Sequence, residues 1–207
     1  PWFFCDGAFE LPDPWRDVQT TNHLEATDER LRPVEWYRVG IGWKGGGEAI
    51  HLEVSAFERF SRRCYTWKDI DSDFLYEPAA EENRWASGGD LAIEWQPSAR
   101  TTLFCTATGM FFAGEMDYVP DIEATTGMVW SGAAVRCRSW VSYTGRRSFA
   151  GGTIGGVPLV NAEVLWKIIS DVQVGFECRN MLDRSYEVAP GYPGDGREII
   201  ASVRVAF

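Results

Sequence analysis

The segment that decides the fold is NMLDRSYEVAPGYPGDGREIIASVRVAF, which runs from Asn180 to Phe207. Apolar residues alternate in its last part: Ile199, Ala201, Val203, Val205 and Phe207 fall on one face, and Ile200, Ser202, Arg204 and Ala206 fall on the other. A period of two residues predicts a β-strand and not a helix. An earlier strand is predicted to end at residues 180–183, and a loop rich in Gly and Pro joins the two strands.

Composition limits the classes of protein that the chain can represent. The chain has 207 residues and a formal net charge of -10, which suits one domain or part of a larger one. The acidic balance argues against a nucleic-acid partner, because phosphate binding needs a basic face. No window offers about 18 consecutive apolar residues, so no transmembrane helix is predicted. The chain has 10 Trp and a mean hydropathy of -0.22, as expected of strands with one apolar face and aromatic girdles.

Strand-like runs recur along the chain, and short and long gaps alternate between them. Nine runs are predicted, at 34–44, 49–61, 86–96, 99–113, 124–131, 134–145, 157–169, 172–182 and 197–207. The short gaps contain the turn residues of tight hairpins and lie at 45–47, 96–98, 131–133 and 170–171. The long gaps have the composition of solvated loops and lie at 62–85, 114–123, 146–156 and 183–196.

This alternation of gap lengths predicts a membrane barrel. Every second connection of an antiparallel sheet returns to the same end, so all tight turns lie at one end and all long loops at the other, as in outer-membrane barrels. Most runs have about nine to thirteen residues, close to the roughly 9–11 of a tilted membrane-spanning strand. A last strand that stops on Phe207 is also common in such barrels, where it pairs with another strand to close the sheet. A soluble β-sandwich rich in aromatic residues is the competing fold.

The two faces of the predicted strands differ in polarity. In the run 172–182, the apolar positions are Val172, Val174, Phe176 and Cys178, and the opposing ones are Gln173, Gly175, Glu177 and Arg179. The runs 34–44, 86–96 and 134–145 alternate in a similar way. Charged residues therefore occupy a complete face of several strands. That face would be solvent-exposed in a small soluble protein and would line a polar lumen in a large barrel.

Several stretches of the chain are similar to motifs of one known family. Asn180-Met181-Leu182-Asp183 with Tyr186 is similar to the motif Asn-Leu-Phe-Asp-x-x-Tyr, and Gly191-Tyr192-Pro193 with Gly196-Arg197 and the strand to Phe207 is similar to the ending Gly-Tyr-Pro…Gly-Arg. Three stretches further upstream are also similar to segments of the family, namely Asn22–Glu25, Leu31–Glu35 and Ala56–Arg59. On these residues the chain resembles the C-terminal part of the β-barrel of TonB-dependent outer-membrane receptors.

The resemblance implies an all-β fold, a partial antiparallel transmembrane β-barrel. Residues 1–207 would supply about the last nine of roughly 22 strands, and the plug domain would be absent. The start at Pro1, without Met or a signal-peptide pattern, agrees with a mature product or a fragment. The implied function is TonB-dependent active uptake of a scarce ligand, such as an iron-siderophore or cobalamin, in the outer membrane of a Gram-negative bacterium. No enzymatic activity and no cofactor are expected.

The resemblance also implies partners and motif residues. The partners are outer-membrane lipid, a small-molecule ligand such as a metal chelate, TonB through the missing N-terminal region, and the barrel-assembly machinery through the C-terminal strand. The motif and assembly residues are Asn180, Asp183, Tyr186, Gly196, Arg197 and Phe207. The alternatives are a passive outer-membrane porin-like barrel and a soluble β-sandwich binding module.

The predicted long loops hold the candidates for ligand binding, which are Arg62, Arg63, Trp67, Tyr76, Trp85, Tyr118, Arg146, Arg147 and Tyr192. The two Arg pairs could meet an anionic ligand or lipopolysaccharide phosphates, although ordinary charge at the rim explains them as well. Anchoring at the membrane interface is an equal explanation for some of the aromatic residues. The sequence contains no GxSxG, HExxH or phosphate-loop motif, so no catalytic residue is predicted.

Acidic and Cys residues give no strong metal signal. Asp69, Asp71 and Asp73 have the spacing of a calcium loop, but the required Gly and Glu are missing, which favours a solvated acidic loop. The five Cys are widely spaced without a CxxC motif, and only two His are present, which argues against zinc. Three Cys are expected to act as small hydrophobic residues in strands. Cys5 and Cys64 are expected in loops, where they could pair in an oxidising compartment.

Overall fold

The computed structural model of the chain describes residues 2–10, 34–62, 65–69, 76–80, 84–113, 119–149, 152–189 and 191–205. Its elements are β1 (Trp2–Glu10), β2 (Val34–Gly46), β3 (Ile50–Arg62), β4 (Tyr65–Asp69), β5 (Tyr76–Ala80), β6 (Arg84–Ser98), β7 (Thr101–Phe112), β8 (Ile122–Ser131), β9 (Val135–Thr144), β10 (Arg147–Phe149), β11 (Gly152–Ile154), β12 (Val157–Ile169), β13 (Val172–Arg179), β14 (Glu187–Ala189), β15 (Tyr192–Pro193) and β16 (Glu198–Val205). Across these ranges, no helix has the length and apolar character needed to cross a membrane.

Ten of the strands form one antiparallel sheet, and the others form three small hairpins. The order of the sheet is β1-β2-β3-β6-β7-β8-β9-β12-β13-β16, so each sheet strand pairs with the one before it in the chain. The hairpins pair β4 with β5, β10 with β11 and β14 with β15. Within the described ranges no second large sheet packs on the first. The soluble β-sandwich alternative is therefore wrong, because a sandwich needs two facing sheets.

The connections between the sheet strands are sorted by length, as the sequence predicts. Tight turns join β2 to β3, β6 to β7, β8 to β9 and β12 to β13. Gly46 precedes the first turn with a φ of 145°, and a Cβ at this position would collide with the Ile50 carbonyl oxygen. The remaining connections between sheet strands are long and lie at the opposite end. We call the two ends of the sheet the turn end and the loop end.

The structure extends and corrects the sequence prediction in three places. All nine predicted strands are present, and β1 adds a tenth, so Cys5 lies in a strand opposite Val39 and not in a loop. Aromatic residues occupy consecutive positions at 2–4, which interrupts the alternation that would have revealed β1. Three of the four predicted long loops contain hairpins. β6 begins at Arg84, so Trp85 lies in a strand.

Large apolar side chains cover one face of the sheet, which we call the outer face. The buried apolar residues of the described part are only Phe57, Ala86, Ile154 and Val157, far fewer than a soluble domain of this size would bury. At the turn end, four Trp on alternate strands of the sheet lie on the outer face and are 39% to 53% exposed: Trp43, Trp95, Trp130 and Trp166. Such a row of aromatic residues is a girdle at a membrane interface.

The apolar band of the outer face has the height of a membrane. Trp85 and Trp95 lie near the two ends of β6, ten positions apart (95 − 85). At about 3.3 Å per residue they are about 33 Å apart along the strand, or about 25 Å at a tilt of about 40°. The apolar band of an outer-membrane barrel is also about 25 Å tall. The outer face can therefore cross the apolar layer of a membrane.

Candidate functional site

The face opposite the outer face, which we call the inner wall, is polar, and it pairs charges across strands. Arg38 on β2 donates a hydrogen bond to the Asp90 carboxylate on β6. Asp90 also accepts hydrogen bonds from Ser55 Oγ at 2.7 Å and from Thr108 Oγ1 at 3.0 Å. The strand register places Asp90 opposite Ser55 on β3 and opposite Thr108 on β7. Four strands therefore build one polar network on the inner wall.

Aromatic rings lie beside the guanidinium groups of the inner wall. The Arg38 guanidinium carbon lies 3.7 Å from the centroid of the Phe57 ring. The Arg138 guanidinium carbon lies 4.6 Å from the Trp140 ring centroid and 5.2 Å from the Phe104 ring centroid. A cation over an aromatic face is attracted by the ring quadrupole. At two places, therefore, a guanidinium group and an aromatic ring lie side by side on the inner wall.

Asn180 lies at the loop end of the sheet, immediately after β13, and its side chain is buried. It is 3% exposed, and its φ of 46° is the left-handed conformation that Asn tolerates. Its Nδ2 donates to the carbonyl oxygens of Arg184 at 2.9 Å and Asp195 at 3.1 Å, and its Oδ1 accepts from Arg184 N at 2.9 Å. Its backbone N donates to Asn161 Oδ1 on β12 at 3.1 Å. One buried side chain therefore holds both ends of the connection between β13 and β16.

The other motif residues of this connection support the same structure. Asp183 Oδ1 accepts a hydrogen bond from Arg197 N at 2.9 Å, and Asp183 has a φ of 52°. The Tyr186 ring lies against Gly194, where any Cβ would collide with the ring, and Gly194 N donates to Tyr186 O at 2.8 Å. A Cβ at Gly196 would lie 3.2 Å from Asp183 Oδ1. The described contacts of these residues shape the connection itself.

A cleft of about 290 Å³ lies between this connection and the strands β9 and β12. Its lining includes Trp140, Asn161, Arg179 and Tyr186. The Arg179 side chain is already engaged, since its Nε donates to Glu177 Oε1 at 2.7 Å. The cleft therefore has a mixed aromatic and polar lining, and the positive charge of Arg179 in this lining is paired with Glu177.

Two ligand candidates, Arg146 and Arg147, differ in position although they are consecutive. The Arg147 guanidinium is buried and donates to the carbonyl oxygens of Glu187 and Val188, each at 2.8 Å. The Arg146 side chain is exposed, with its Nε 4.0 Å from Asp121 Oδ2. Two carbonyl groups of another connection therefore engage the Arg147 guanidinium, whereas the Arg146 side chain remains exposed. That either residue meets an anionic ligand stays a prediction.

The other candidates are placed as follows. Trp85 was predicted in a loop, but it lies on β6 with its ring centroid 4.8 Å from that of Phe60, as an aromatic residue of the outer face. Tyr192 is exposed on β15. The structure describes the strands that contain Arg62, Trp67, Asp69 and Tyr76 but not these side chains. The positions that lie outside the described residues are Arg63, Cys64, Asp71, Asp73, Tyr118 and Phe207.

The described residues contain neither a metal cluster nor a disulfide. Among the described residues, no group of three or more His, Cys, Asp or Glu is placed to hold a metal ion. Cys105, Cys137 and Cys178 are free thiols of intermediate burial in sheet strands. Their register partners include Thr126, Trp130 and Ala162, so they lie on the outer face as small side chains.

Sequence reasoning missed the pairing on the inner wall. The alternation of polar residues identified the wall, but not the partners of Arg38 or Asn180. Arg38 and Asp90 are 52 positions apart, and Asn161 and Asn180 are 19 positions apart. Partners at such separations depend on strand register, which the hydrophobic pattern specifies only as inward or outward.

These features define a class of protein. An antiparallel sheet with an apolar outer face, an aromatic girdle, a polar inner wall and connections sorted by length is the wall of a membrane-spanning β-barrel. Its fold is that of the barrel of TonB-dependent outer-membrane receptors, since solved structures of such receptors match most of the chain. The resemblance found in the sequence is thus confirmed for the fold.

Three solved structures illustrate this similarity. The copper transporter OprC matches 98% of this chain with a TM-score of 0.73 and 12% identity. The ferripyoverdine receptor of the outer membrane of Pseudomonas aeruginosa, bound to ferripyoverdine, matches 97% with a TM-score of 0.62 and 14% identity. The ferric yersiniabactin uptake receptor FyuA from Yersinia pestis matches 84% with a TM-score of 0.64 and 14% identity.

The chain spans only part of each of these receptors, namely 36% of OprC, 30% of the ferripyoverdine receptor and 30% of FyuA. The match therefore concerns a portion of a barrel wall. No protein-family model matches the sequence, and no curated protein is significantly similar to it.

Proposed function

We propose that residues 1–207 form the C-terminal portion of the β-barrel of a TonB-dependent outer-membrane receptor. The complete protein would take up a scarce ligand, such as an iron-siderophore or cobalamin, across the outer membrane of a Gram-negative bacterium. The observation that carries the proposal is the match of the ten-stranded sheet to OprC over 98% of the chain with a TM-score of 0.73. The plug domain and the contact with TonB would belong to a part of the protein that precedes Pro1.

The polar side chains of the inner wall favour a lumen that is filled by a plug domain over a permanently open pore. Charged side chains of this wall form pairs, as Arg38 does with Asp90 and Arg179 does with Glu177. Paired charges and hydroxyl groups offer hydrogen-bonding groups to a plug domain or to a polar ligand. The proposed receptor has no enzymatic role and needs no resident cofactor.

Several partners follow from the proposal. Membrane lipid would contact the outer face, and the barrel-assembly machinery would recognise the C-terminal strand β16. The ligand would be a small molecule such as a metal chelate, since the matched receptors are described as copper, ferripyoverdine and ferric yersiniabactin transporters or receptors. Among the predicted ligand contacts, the exposed Tyr192 ring at the loop end remains accessible to such a molecule.

Uptake by the complete protein tests the proposal. We would express the full-length chain in a Gram-negative host that lacks its own siderophore and cobalamin receptors, with and without TonB. We expect saturable uptake of a radiolabelled ferric siderophore or of cobalamin that falls to background in cells without TonB. Uptake that is unsaturable and independent of TonB would contradict the proposal and would favour the porin-like alternative.

A further inference from the structure

Three neighbouring long connections lie at the loop end, and the middle one, which contains residues 146 and 147, contacts the other two. These connections join β7 to β8, β9 to β12, and β13 to β16. In the first of them, Asp121 N donates to the Arg146 carbonyl oxygen at 3.0 Å, and Pro120 forms a β-bridge with Arg147. These contacts belong to the main chain, so they join the first two connections independently of side chains.

The Arg147 side chain joins the third connection to the other two. Its Nη1 donates to the Val188 carbonyl oxygen and its Nη2 donates to the Glu187 carbonyl oxygen, each at 2.8 Å. Both acceptors lie on β14, 40 and 41 positions further along the chain. A guanidinium holds its donors in a rigid planar fork, so it can bind two adjacent carbonyl groups at once.

The neighbouring Arg146 provides an internal comparison. Its side chain is 67% exposed and lies 4.0 Å from Asp121 Oδ2, whereas Arg147 is 9% exposed. An exposed ion pair of this length contributes little to stability. Hydrogen bonds from a charged donor that is shielded from water are stronger, and their loss leaves two carbonyl groups without this donor.

We propose that Arg147 is a positioning residue that holds the three connections together as one unit. With this unit intact, an arriving ligand meets a single preassembled surface and not three independent loops, which lowers the entropy lost on binding. The ligand part of this proposal rests on the proposed uptake function, whereas the joining of the connections does not.

Hydrogen–deuterium exchange of the full-length protein in lipid nanodiscs tests the joining. In Arg147→Ala we expect the amides of residues 187–189 and 191–192 to exchange roughly tenfold faster or more, because two hydrogen bonds from a charged donor are lost. Arg147→Lys should be intermediate, since one ammonium cannot reproduce the planar fork. The matched control is Arg184→Ala, an exposed Arg of the same connection whose described hydrogen bonds involve only its backbone.

Equal exchange in Arg147→Ala and Arg184→Ala would overturn the proposal. If Arg147→Ala does not assemble, Arg147→Lys supplies the comparison, and exchange at the wild-type rate in that variant would have the same meaning.

Uptake of a radiolabelled ferric siderophore that the wild type transports tests the positioning. We expect Arg147→Ala to raise the half-saturating concentration several-fold without changing the maximal rate, with partial recovery in Arg147→Lys. A half-saturating concentration equal to that of Arg184→Ala would overturn the positioning role even if exchange were faster. Absence of TonB-dependent uptake in the wild type would instead refute the proposed function and leave the exchange result valid.

Discussion

On β6, Leu91 and Ala92 are consecutive residues that point to opposite faces of the sheet. Leu91 pairs with Val54 and Ala107 on the outer face, whereas Ala92 pairs with Glu53 and Thr106 on the inner wall. The neighbours of Leu91 on the outer face are apolar, and they need only to be compatible with the hydrocarbon chains of lipid. Inward neighbours carry charges and hydroxyl groups, and these require particular partners in particular geometry.

This difference implies two kinds of tolerance. On the outer face, one apolar side chain can replace another because the surrounding lipid adapts to its shape. On the inner wall, a polar residue depends on the residue across the strand, as Asp90 depends on Arg38, Ser55 and Thr108. The outer face should therefore be sensitive to polarity, and the inner wall should be sensitive to the identity of partners.

Leu91→Arg and Ala92→Arg test the comparison most directly. Leu91 lies near the middle of the apolar band between Trp85 and Trp95, so we expect Leu91→Arg to lower the free energy of unfolding by about 2–4 kcal/mol. Ala92→Arg places the same charge opposite Glu53 and should change stability by less than about 1 kcal/mol. Guanidinium unfolding of the full-length protein in phospholipid vesicles measures both values. Equal losses would mean that the two faces are not distinguished by lipid.

Asn180→Ala tests the dependence on partners at the loop end of the inner wall. It removes the donor to Arg184 and Asp195, the acceptor for Arg184 N, and a side chain that tolerates positive φ. We expect a loss of about 2–3 kcal/mol in the same unfolding assay, since three main-chain groups lose their partners and Ala is disfavoured at positive φ. Arg184→Ala is the control and should remain within about 0.5 kcal/mol of the wild type.

Asp90→Asn should have the smallest effect of the three tests. It keeps the shape of the side chain but removes the charge that accepts from Arg38. Both side chains are partly exposed, at 37% and 24%, so we expect a loss of about 1 kcal/mol. Lys44→Gln is the control, because its ion pair with Glu53 is longer, at 3.4 Å, and more exposed. A loss for Lys44→Gln as large as that for Asp90→Asn would show that the Asp90 network has no special role.

Much of the fold could be predicted from the sequence, because strand signals are local. Alternation of residues and the chemistry of tight turns located nine strands and the sorting of the connections. β1 was missed since its aromatic residues are consecutive, and the hairpins of the long connections were missed since their strands are short. A strand of two or three residues, such as β15, is too short to show a period.

Less of the candidate site could be predicted. Arg147 was recognised as a charge in a long connection, but the hydrogen bonds that it donates to another connection were not foreseen. Asn180 was recognised as a motif residue, whereas its hydrogen bonds became evident only when both ends of its connection were placed. The sequence therefore showed the charge of Arg147 and the motif that contains Asn180, but not the partners of either side chain.

The sequence by itself determined nine of the ten strands of the sheet, the polarity of their two faces and the end of the sheet at which their connections lie. These properties follow from a period of two residues and from turns of two or three residues, so neighbours in the chain are sufficient to set them. Only the tertiary structure decided that Arg38 meets Asp90, that Arg147 binds β14 and that Asn180 closes its connection. Those contacts depend on the register of strands and on the packing of connections, which bring together residues from distant parts of the chain.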